Sequence, residues 1–247
     1  RKLDKEYPDS NIIIVENAIK ALQKIVQAHR EKFNYPVIGV TGSNGKTIVK
    51  EWLHQSMHHD FKVVRSPKSY NSQIGVPLSV WNMTDKKNLA IFEAGISEPD
   101  EMDNLQKIIQ PTIGVFTNIG SAHGQNFIND SHKVKEKLKL FRKSKLIVYC
   151  RDHTIVNQSI TDFWSHTIND EAEKPAFLSW SEKVFADLRI VNKQIEYNAT
   201  KISCTHQEKE LEFLIPFTDK SSVENAMHCI CVMLHFKYNP KQINKKL

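Results

Sequence analysis

Short, almost wholly apolar runs alternate with segments of helical periodicity along the chain as far as residue 150. Strands are predicted at 37–41, 62–66, 88–95, 111–119 and 145–150, and helices at 16–33, 46–58, 98–109 and 131–143. Strands that are apolar on both faces are typical of a parallel sheet with helices packed on both sides. The pattern therefore predicts an α/β fold built on a mostly parallel sheet.

The pattern changes from about residue 175 onwards. Short segments that alternate apolar and polar residues, as antiparallel hairpins do, occur at 176–180, 185–191, 194–199, 201–206 and 210–216. They are followed by an amphipathic helix that is predicted over residues 222–236. We expect these segments to add a smaller antiparallel β extension to the parallel sheet.

The composition is that of an ordinary globular protein, with 247 residues of which 40% are hydrophobic and 25% charged. No run approaches the roughly 20 apolar residues of a membrane helix, and the polar opening residues lack the apolar core of a signal peptide. The four cysteines form no CxxC pair, so neither a zinc site nor a disulfide framework is indicated. The prediction is a cytoplasmic protein without a membrane segment.

The formal net charge of +6 raises the question of nucleic-acid binding. Much of the excess lies in the lysine-rich stretch 132–145, which is more typical of a solvated helix face than of a binding patch. The sequence contains no RNA-binding or zinc-finger motif that would favour the second interpretation. We therefore predict no nucleic-acid partner, and a positive field would equally attract an anionic substrate.

The segment GSNGKT has the residue types and the position of a phosphate-binding loop. It follows a predicted strand and begins a predicted helix, where backbone N–H groups and the helix N-terminus attract anions. Its glycines allow a tight turn close to phosphate, its lysine can reach the β- and γ-phosphates, and its threonine hydroxyl can bind Mg²⁺. The predicted nucleotide-binding residues are Gly42, Ser43, Asn44, Gly45, Lys46 and Thr47.

Three further side chains are candidates for the same site. Glu93 ends an apolar strand, and a carboxylate at the C-terminal end of a parallel strand can bind Mg²⁺ alongside Thr47. His123 follows the next predicted strand, and Lys137 lies on the lysine-rich helix. Taken singly, Glu93 is equally compatible with a solvated strand end, and His123 and Lys137 are more typical of ordinary surface residues.

Four motifs in this order resemble those of the Mur ligases, the ATP-dependent amino-acid and peptide ligases of peptidoglycan synthesis. They are VTGSNGKT (40–47), FEAG (92–95), TNIGSAH (117–123) and KLKLF (137–141). The phosphate loop of that family reads TGxxGK[TS], so it does not need the glycine that an ordinary P-loop has where this chain has Val40. The segment YNSQIGVPLSVW (70–81) resembles the MurF branch, which adds D-alanyl-D-alanine to UDP-MurNAc-tripeptide.

The resemblance implies a role for each matching residue of the phosphate and metal site. Lys46 is expected to bind phosphate, and Thr47 and Glu93 to hold one Mg²⁺. His123 is expected to bind a second Mg²⁺, and Lys137 to be carbamylated, which turns an ammonium into a carboxylate-like anion that a metal attracts. The implied catalytic set is Lys46, His123 and Lys137.

The resemblance also assigns residues to the substrates. Asn225 matches the second asparagine of the family's HNxxN segment, which contacts adenine, although Ser221 and Ser222 replace its histidine and first asparagine. Asn71 and Gln73 fall in the segment that faces the UDP-sugar peptide. In the implied reaction, ATP and two Mg²⁺ ions convert the terminal carboxylate of the UDP-MurNAc-tripeptide into an acyl phosphate, which the amine of D-alanyl-D-alanine attacks.

The resemblance runs from about residue 10 to the end of the chain and covers the central part of a Mur ligase. It implies that residues 1–35 form a linker and helix from an N-terminal domain, 36–236 the central ATP-binding domain, and 237–247 a linker to a C-terminal domain. Both outer domains are expected partners, and the chain is expected to be inactive without them. Departures near Gln73 and at residues 124–127 also resemble MurF halves that are fused to alanine racemase.

Three alternatives remain open from the sequence. One is another amide ligase of the Mur and folylpolyglutamate synthase superfamily, which the YNSQIGVPL segment disfavours. The second is a P-loop NTPase with nucleic-acid or protein partners, which only the basic charge supports. The third is a non-catalytic scaffold with a vestigial loop, against which the intact set of Lys46, Thr47, Glu93, His123 and Lys137 argues.

Overall fold

The computed structural model describes residues 11–120, 126–167 and 174–247. In these residues nine strands form one sheet: β1 (Val37–Thr41), β2 (Val63–Arg65), β3 (Leu89–Glu93), β4 (Ile113–Phe116), β5 (Leu146–Cys150), β6 (Ala176–Ser181), β7 (Leu188–Glu196), β8 (Ala199–His206) and β9 (Lys209–Ile215). Their order across the sheet is β2-β3-β1-β4-β5-β6-β7-β8-β9. In this order, adjacent strands from β2 as far as β7 pair in parallel. The pairs β7–β8 and β8–β9 are antiparallel.

Helices cover both faces of the parallel part, as the apolar strands predict. They are α1 (Ala18–Arg30), α2 (Lys46–Met57), α3 (Gly75–Val80), α4 (Glu101–Ile109), α5 (Asp130–Leu138), α6 (Thr154–Thr167), α7 (Lys220–His235) and α8 (Pro240–Lys246), with a 3₁₀ turn at Lys139–Phe141. Helices α2, α7 and α8 pack on one face, and α1 and α3–α6 on the other. In β1, Ile38 and Val40 pack in the core beneath α2, α7 and α8, whereas Val37 packs in the core beneath the helices of the other face. The predicted α/β class is confirmed.

Strand β1 lies at the centre of the sheet between β3 and β4. Because the three strands are parallel, the loops that follow them emerge at the same edge of the sheet. The chain leaves β1 towards a helix on one face and leaves β3 and β4 towards helices on the other, which opens a crevice between the loops. The fold thereby brings the segments after residues 41, 93 and 116 together.

A buried arginine fixes the end of helix α1 to the end of α4. The guanidinium of Arg30 donates hydrogen bonds to the carbonyl oxygens of Ile109 (2.8 Å), Gln110 (3.0 Å) and Phe33 (2.6 Å). These carbonyls lie at the C-terminal ends of α4 and α1, where the helix leaves backbone acceptors unpaired. Arg30 therefore joins the ends of the two helices that border the crevice.

The antiparallel extension begins later than the sequence predicts. Residues 176–180 were expected to belong to it, but β6 pairs in parallel with β5, with Leu146 opposite Ala176. The prediction was wrong because α6 was not recognised. This helix supplies the crossover that a parallel connection requires. From β7 onwards the antiparallel pairing is confirmed, although the segments 185–191 and 194–199 were expected to be separate and β7 runs continuously over Leu188–Glu196. In β8, alternate residues such as Ile202 and Cys204 are buried while their neighbours are not.

The final residues pack against the edge of the sheet. Ile243 of α8 is buried in the core, and the side chain of Asn244 donates to Glu212 O (3.1 Å) and accepts from Leu214 N (3.0 Å). The segment 237–247 therefore contains a packed helix, and its connection to a further domain stays a prediction. Within the described ranges, no helix combines the length and the apolar character that crossing a bilayer would require.

Candidate functional site

The phosphate loop is a tight turn that only glycine allows at two positions. Gly42 has φ 144° and Gly45 has φ 81°, both in the region that favours glycine. A Cβ atom on Gly42 would lie 2.0 Å from Thr117 Oγ1, and one on Gly45 would lie 2.2 Å from Asn225 Oδ1. The N-cap of α2 is Gly45, and no side chain caps its first turn. The first N–H groups of α2 are thus available to an anion.

Two residues after β4 hold this loop in place. Asn118 accepts hydrogen bonds from Ser43 N (2.8 Å) through its carbonyl and from Asn44 N (3.1 Å) through its side chain. Thr117 donates its hydroxyl to Asn44 O (2.6 Å). Both residues lie in the TNIGSAH motif but were not predicted as site residues, although polar residues directly after a buried parallel strand often face a ligand crevice. The loop is consequently fixed by its neighbouring strand as well as by its own turn.

The backbone carbonyl of Thr117 is held in turn by a side chain of helix α7. The ring of His228 is fully buried; its Nδ1 accepts from Trp180 Nε1 (3.3 Å), and its Nε2 therefore donates to Thr117 O (3.0 Å). Burial lowers the pKa of His228 to about 4, which keeps the imidazole neutral near pH 7 in the form that this pairing needs. Helix α7 thus supports the phosphate loop through an uncharged hydrogen-bond chain.

Lys46 lies directly over the loop. Its ammonium donates to Gly42 O and to Ser43 O, both at 3.0 Å. Burial lowers the pKa of Lys46, Glu93 acts in the opposite direction, and Lys133 adds to the lowering. A negative group placed over the loop would relieve the repulsion between the two lysines. Lys46 is therefore positioned to bind an anion held by the N-terminus of α2.

Glu93 is completely buried at the end of β3, which excludes the solvated strand end as an interpretation. Its Oε1 accepts from Asn71 Nδ2 (2.9 Å), and its Oε2 lies 3.6 Å from the ammonium of Lys50. Among the described residues no group donates a hydrogen bond to Oε2. This oxygen therefore keeps lone pairs for a further ligand. The described residues contain no group of three or more His, Cys, Asp and Glu side chains that could hold a metal by themselves.

Lys137 is also buried, with 3% of its surface exposed, and Lys133 one turn earlier with 1%. The interpretation of the lysines in 132–145 as a solvated face was therefore wrong for these two. They lie on the face of α5 that is turned towards the phosphate loop, and Lys133 donates to Gly120 O (2.6 Å). Burial, Lys46 and Lys133, in that order, lower the pKa of Lys137 to about 7. Near neutral pH a large fraction of Lys137 is thus an uncharged amine.

The predicted residues line a pocket of about 360 Å³. Asn71 carries the contact to Glu93, and Gln73 is fixed because its amide donates to Glu101 O (3.0 Å) and accepts from Gln23 Nε2 (3.1 Å). The pocket places the phosphate loop, the buried lysine and the 70–81 segment around one space. The predicted site residues in its wall are Gly42, Ser43, Lys46, Asn71, Gln73 and Lys137.

The other predicted residues lie around this pocket or outside the described part. Thr47 is the second residue of α2, and its hydroxyl lies 3.4 Å from Ser69 Oγ, whereas Asn44 and Gly45 belong to the loop. Asn225 is buried against Gly45, so its proposed contact with adenine stays a prediction. His123 lies outside the residues that the structure describes, and its role stays a prediction as well.

Replacement of Gly42 by alanine is expected to lower the free energy of unfolding by about 1–3 kcal/mol, because a strained backbone and a close contact with Thr117 Oγ1 are added together. Denaturant titration of the variant measures the effect. Gly120→Ala is the matched control: its new Cβ would meet Asn44 Nδ2 at 3.2 Å, an atom on a flexible side chain. Equal stability of the two variants would contradict the strain attributed to Gly42.

Comparison with known proteins assigns these features to one family. The Mur ligase middle domain model matches residues 40–233. The UDP-N-acetylmuramoyl-tripeptide--D-alanyl-D-alanine ligase of Borreliella burgdorferi is 31% identical over 242 residues, which are 95% of this chain and 49% of that protein. The chain spans about half the length of the curated relatives it matches.

Two solved structures share the fold. One is the UDP-N-acetylmuramoylalanyl-D-glutamyl-2,6-diaminopimelate--D-alanyl-D-alanyl ligase of Acinetobacter baumannii, with a TM-score of 0.80, 20% identity, and coverage of 97% of this chain and 52% of that one. The other is the MurF ligase of Thermotoga maritima in complex with ADP, with a TM-score of 0.80, 22% identity, and coverage of 96% and 54%. Since the family model covers more than half of the chain, including the phosphate loop, Glu93 and Lys137, the chain belongs to the Mur ligase family and contains its middle domain.

Proposed function

We propose that this chain is the ATP-binding part of an enzyme that joins D-alanyl-D-alanine to UDP-MurNAc-tripeptide in peptidoglycan precursor synthesis. The observation that carries the proposal is the shared pocket of Lys46, Lys137 and the Asn71–Gln73 segment, with Glu93 buried behind Asn71. Curated relatives with this name match the chain over 95% of its length. ATP-dependent activation of a carboxylate requires the phosphates of ATP and the substrate to be held next to each other in one pocket.

ATP is the expected nucleotide. Its phosphates would lie at the N-terminus of α2, where the uncapped N–H groups and Lys46 provide positive charge. Lys46 would then exchange its bonds with the loop carbonyls for bonds with phosphate oxygens. The MurF ligase of Thermotoga maritima, which shares this fold, is in complex with ADP, which agrees with an adenine nucleotide as the ligand.

The residues present fit Mg²⁺. Glu93 Oε2 is a buried carboxylate oxygen without a hydrogen-bond donor among the described residues, and oxygen ligands of this kind suit Mg²⁺. Thr47 at the first position after Lys46 and a carbamylated Lys137 would complete the oxygen set, with His123 proposed for the second ion. When bound, Mg²⁺ neutralises charge on the transferring phosphoryl group.

Carbamylation of Lys137 is supported by its surroundings. The reaction joins the nitrogen of a neutral amine to the carbon of CO₂ and releases one proton, so it requires the uncharged form of lysine. The lowered pKa of Lys137 makes this form abundant near neutral pH. The carbamate would replace one of three positive charges, those of Lys46, Lys133 and Lys137, by a negative one. It would thereby remove the repulsion that the protonated Lys137 feels from the other two.

The proposed chemical steps are those that the resemblance to the Mur ligases implies. The terminal carboxylate oxygen of the tripeptide attacks the γ-phosphorus of ATP, and ADP leaves. The amine of D-alanyl-D-alanine then attacks the carbonyl carbon of the acyl phosphate, and inorganic phosphate leaves with one oxygen of the original carboxylate. The protein's share is to hold the reactants in line and to supply positive charge through Lys46.

The domain arrangement is part of the proposal. The outer regions 1–35 and 237–247 are proposed to connect the middle domain to domains on either side, which would deliver the UDP-sugar peptide and the incoming dipeptide. The proposed activity therefore belongs to the full-length protein that includes this chain, in the cytoplasm where its substrates are made. The chain alone is proposed to be inactive.

The test is a ligation assay on the full-length protein with ATP, UDP-MurNAc-tripeptide and D-alanyl-D-alanine. Mass spectrometry should detect the pentapeptide product together with equimolar ADP, and omission of any one substrate should abolish the product. With a heavy-oxygen label in the terminal carboxylate of the tripeptide, one labelled atom should appear in the released phosphate. ATP hydrolysis without peptide product, or unlabelled phosphate, would overturn the proposal.

A further inference from the structure

Three ionisable side chains lie among the pocket-lining residues that the structure describes. Lys46 carries an ammonium, Lys137 is the lysine proposed above to be carbamylated, and Glu101 is the acidic residue of the three. No lysine, arginine or histidine forms a salt bridge with Glu101 in the described ranges. A pocket with this distribution suits a ligand that carries a negative and a positive group on the same molecule.

The carboxylate of Glu101 is fixed rather than mobile. It is the first residue of α4, and its Oε2 accepts hydrogen bonds from Ser97 N (2.7 Å) and Glu98 N (3.0 Å). Its own carbonyl oxygen accepts from the amide of Gln73, which Gln23 holds from the other side. No backbone N–H group among the described residues donates to the second carboxylate oxygen, Oε1, which can therefore accept a hydrogen bond from a ligand.

We propose that Glu101 binds the side-chain ammonium of the amino acid whose carboxylate is activated, which makes Glu101 a specificity-determining residue for the last position of the tripeptide. The inference rests on the proposed function. It agrees with the name of the Acinetobacter baumannii ligase, which specifies 2,6-diaminopimelate at the site of D-alanyl-D-alanine addition. The ammonium is common to diaminopimelate and lysine, and Glu101 recognises this shared group.

The incoming dipeptide also carries an amine, but its chemistry fits Glu101 less well. The amine of D-alanyl-D-alanine must lose its proton before it can attack the acyl phosphate, and a carboxylate beside it would favour the protonated, unreactive form. A side-chain ammonium stays charged throughout the reaction. A fixed carboxylate is therefore a suitable partner for the side chain and an unfavourable one for the nucleophile.

The test compares the full-length enzyme with its Glu101→Gln variant on three UDP-MurNAc-tripeptides, which end in lysine, diaminopimelate or norleucine. The amide oxygen of glutamine can keep the bonds to Ser97 N and Glu98 N, so the change removes the charge and leaves the loop in place. We expect KM of the variant to rise about 10- to 100-fold for the lysine and diaminopimelate peptides, the size of a lost charge-assisted hydrogen bond. KM for the norleucine peptide should change less than about 3-fold, because norleucine has no ammonium that could contact Glu101. The kcat values for all three peptides should also change less than about 3-fold, because Glu101 is proposed to act in substrate binding.

The matched control is Glu98→Gln, which removes an exposed carboxylate three residues away that does not line the pocket. It should leave all three KM values unchanged. An equal rise of KM for all three peptides would show that Glu101 only supports the loop, and a rise of KM for D-alanyl-D-alanine alone would assign it to the dipeptide. Either result overturns the inference while the ligase activity stands. Absence of ligation by the unaltered enzyme with every peptide would instead overturn the proposed function.

Discussion

Replacement of Lys137 by alanine is expected to reduce kcat of the full-length ligase by about 10²–10³-fold, the effect of removing one preorganised group that stabilises transition-state charge. The physical reason is that Lys137 is buried beside Lys46, where a carbamate would compensate the surrounding positive charge. Alanine leaves a space that formate or acetate can enter. Added formate should therefore restore part of the activity of this variant.

Lys135→Ala is the matched control, because Lys135 lies on the same helix with its side chain exposed. It should keep normal activity and show no response to formate. Mass spectrometry under native conditions can also detect the carbamate directly as one added CO₂. Normal activity of the Lys137→Ala variant, or a rescue by formate of equal size in the control, would contradict the role given to Lys137.

The same substitution is expected to change how stability depends on pH. The pKa of Lys137 lies near 7 in the folded protein, below the ordinary value of 10.5, so the unfolded chain binds more protons between these two values. The destabilisation that comes from burying a charged lysine is therefore complete below pH about 7 and lost as pH rises towards 10.5. In the absence of CO₂, the Lys137→Ala variant should gain stability relative to the parent at low pH, and this gain should shrink as pH increases.

The sequence could predict the crevice because its main components are encoded locally. Apolar strands fix the parallel sheet, and the carboxyl ends of adjacent parallel strands necessarily meet. The glycines of the phosphate loop can be predicted from the sequence for the same reason, since the positive φ angles of Gly42 and Gly45 are a local requirement of the turn. The positions of Lys46 and Glu93 follow from these two facts, and Glu93 lies close enough to Lys46 to act on the pKa of its ammonium.

The remaining features depend on contacts between distant segments. No local pattern distinguishes the buried Lys133 and Lys137 from the exposed Lys135, because their burial results from the packing of α5 beside the phosphate loop. The parallel pairing of β6 was missed because it depends on the preceding helix rather than on the alternation within 176–181. The burial of Lys50 was missed for a related reason, since its partners come from the ends of β2 and β3.

Replacement of Lys50 by methionine is expected to lower the free energy of unfolding by about 3–5 kcal/mol, the usual result of removing one partner of a buried ion pair. Lys50 has no exposed surface, and its ammonium lies 3.6 Å from Glu93 Oε2 and 3.1 Å from Glu51 Oε1. It also donates to Ser66 O (2.9 Å) and to Lys68 O. Methionine fills the space of the lysine stem, so the loss comes from the charge and the hydrogen bonds.

A double-mutant cycle separates the charge effect from the loss of the backbone contacts. If the main cost of Lys50→Met is an uncompensated carboxylate at Glu93, then Glu93→Gln in the same background should destabilise by clearly less than it does alone. Denaturant titration of the four proteins gives this coupling energy, and the exposed Lys24→Met serves as a control that should change stability by less than about 0.5 kcal/mol. Additive effects would instead assign the role of Lys50 to the carbonyls of Ser66 and Lys68. In that case Lys50 would stabilise the chain segment that leads from Ser66 to Asn71. It would then affect Glu93 only through the hydrogen bond that Asn71 donates to the Glu93 carboxylate.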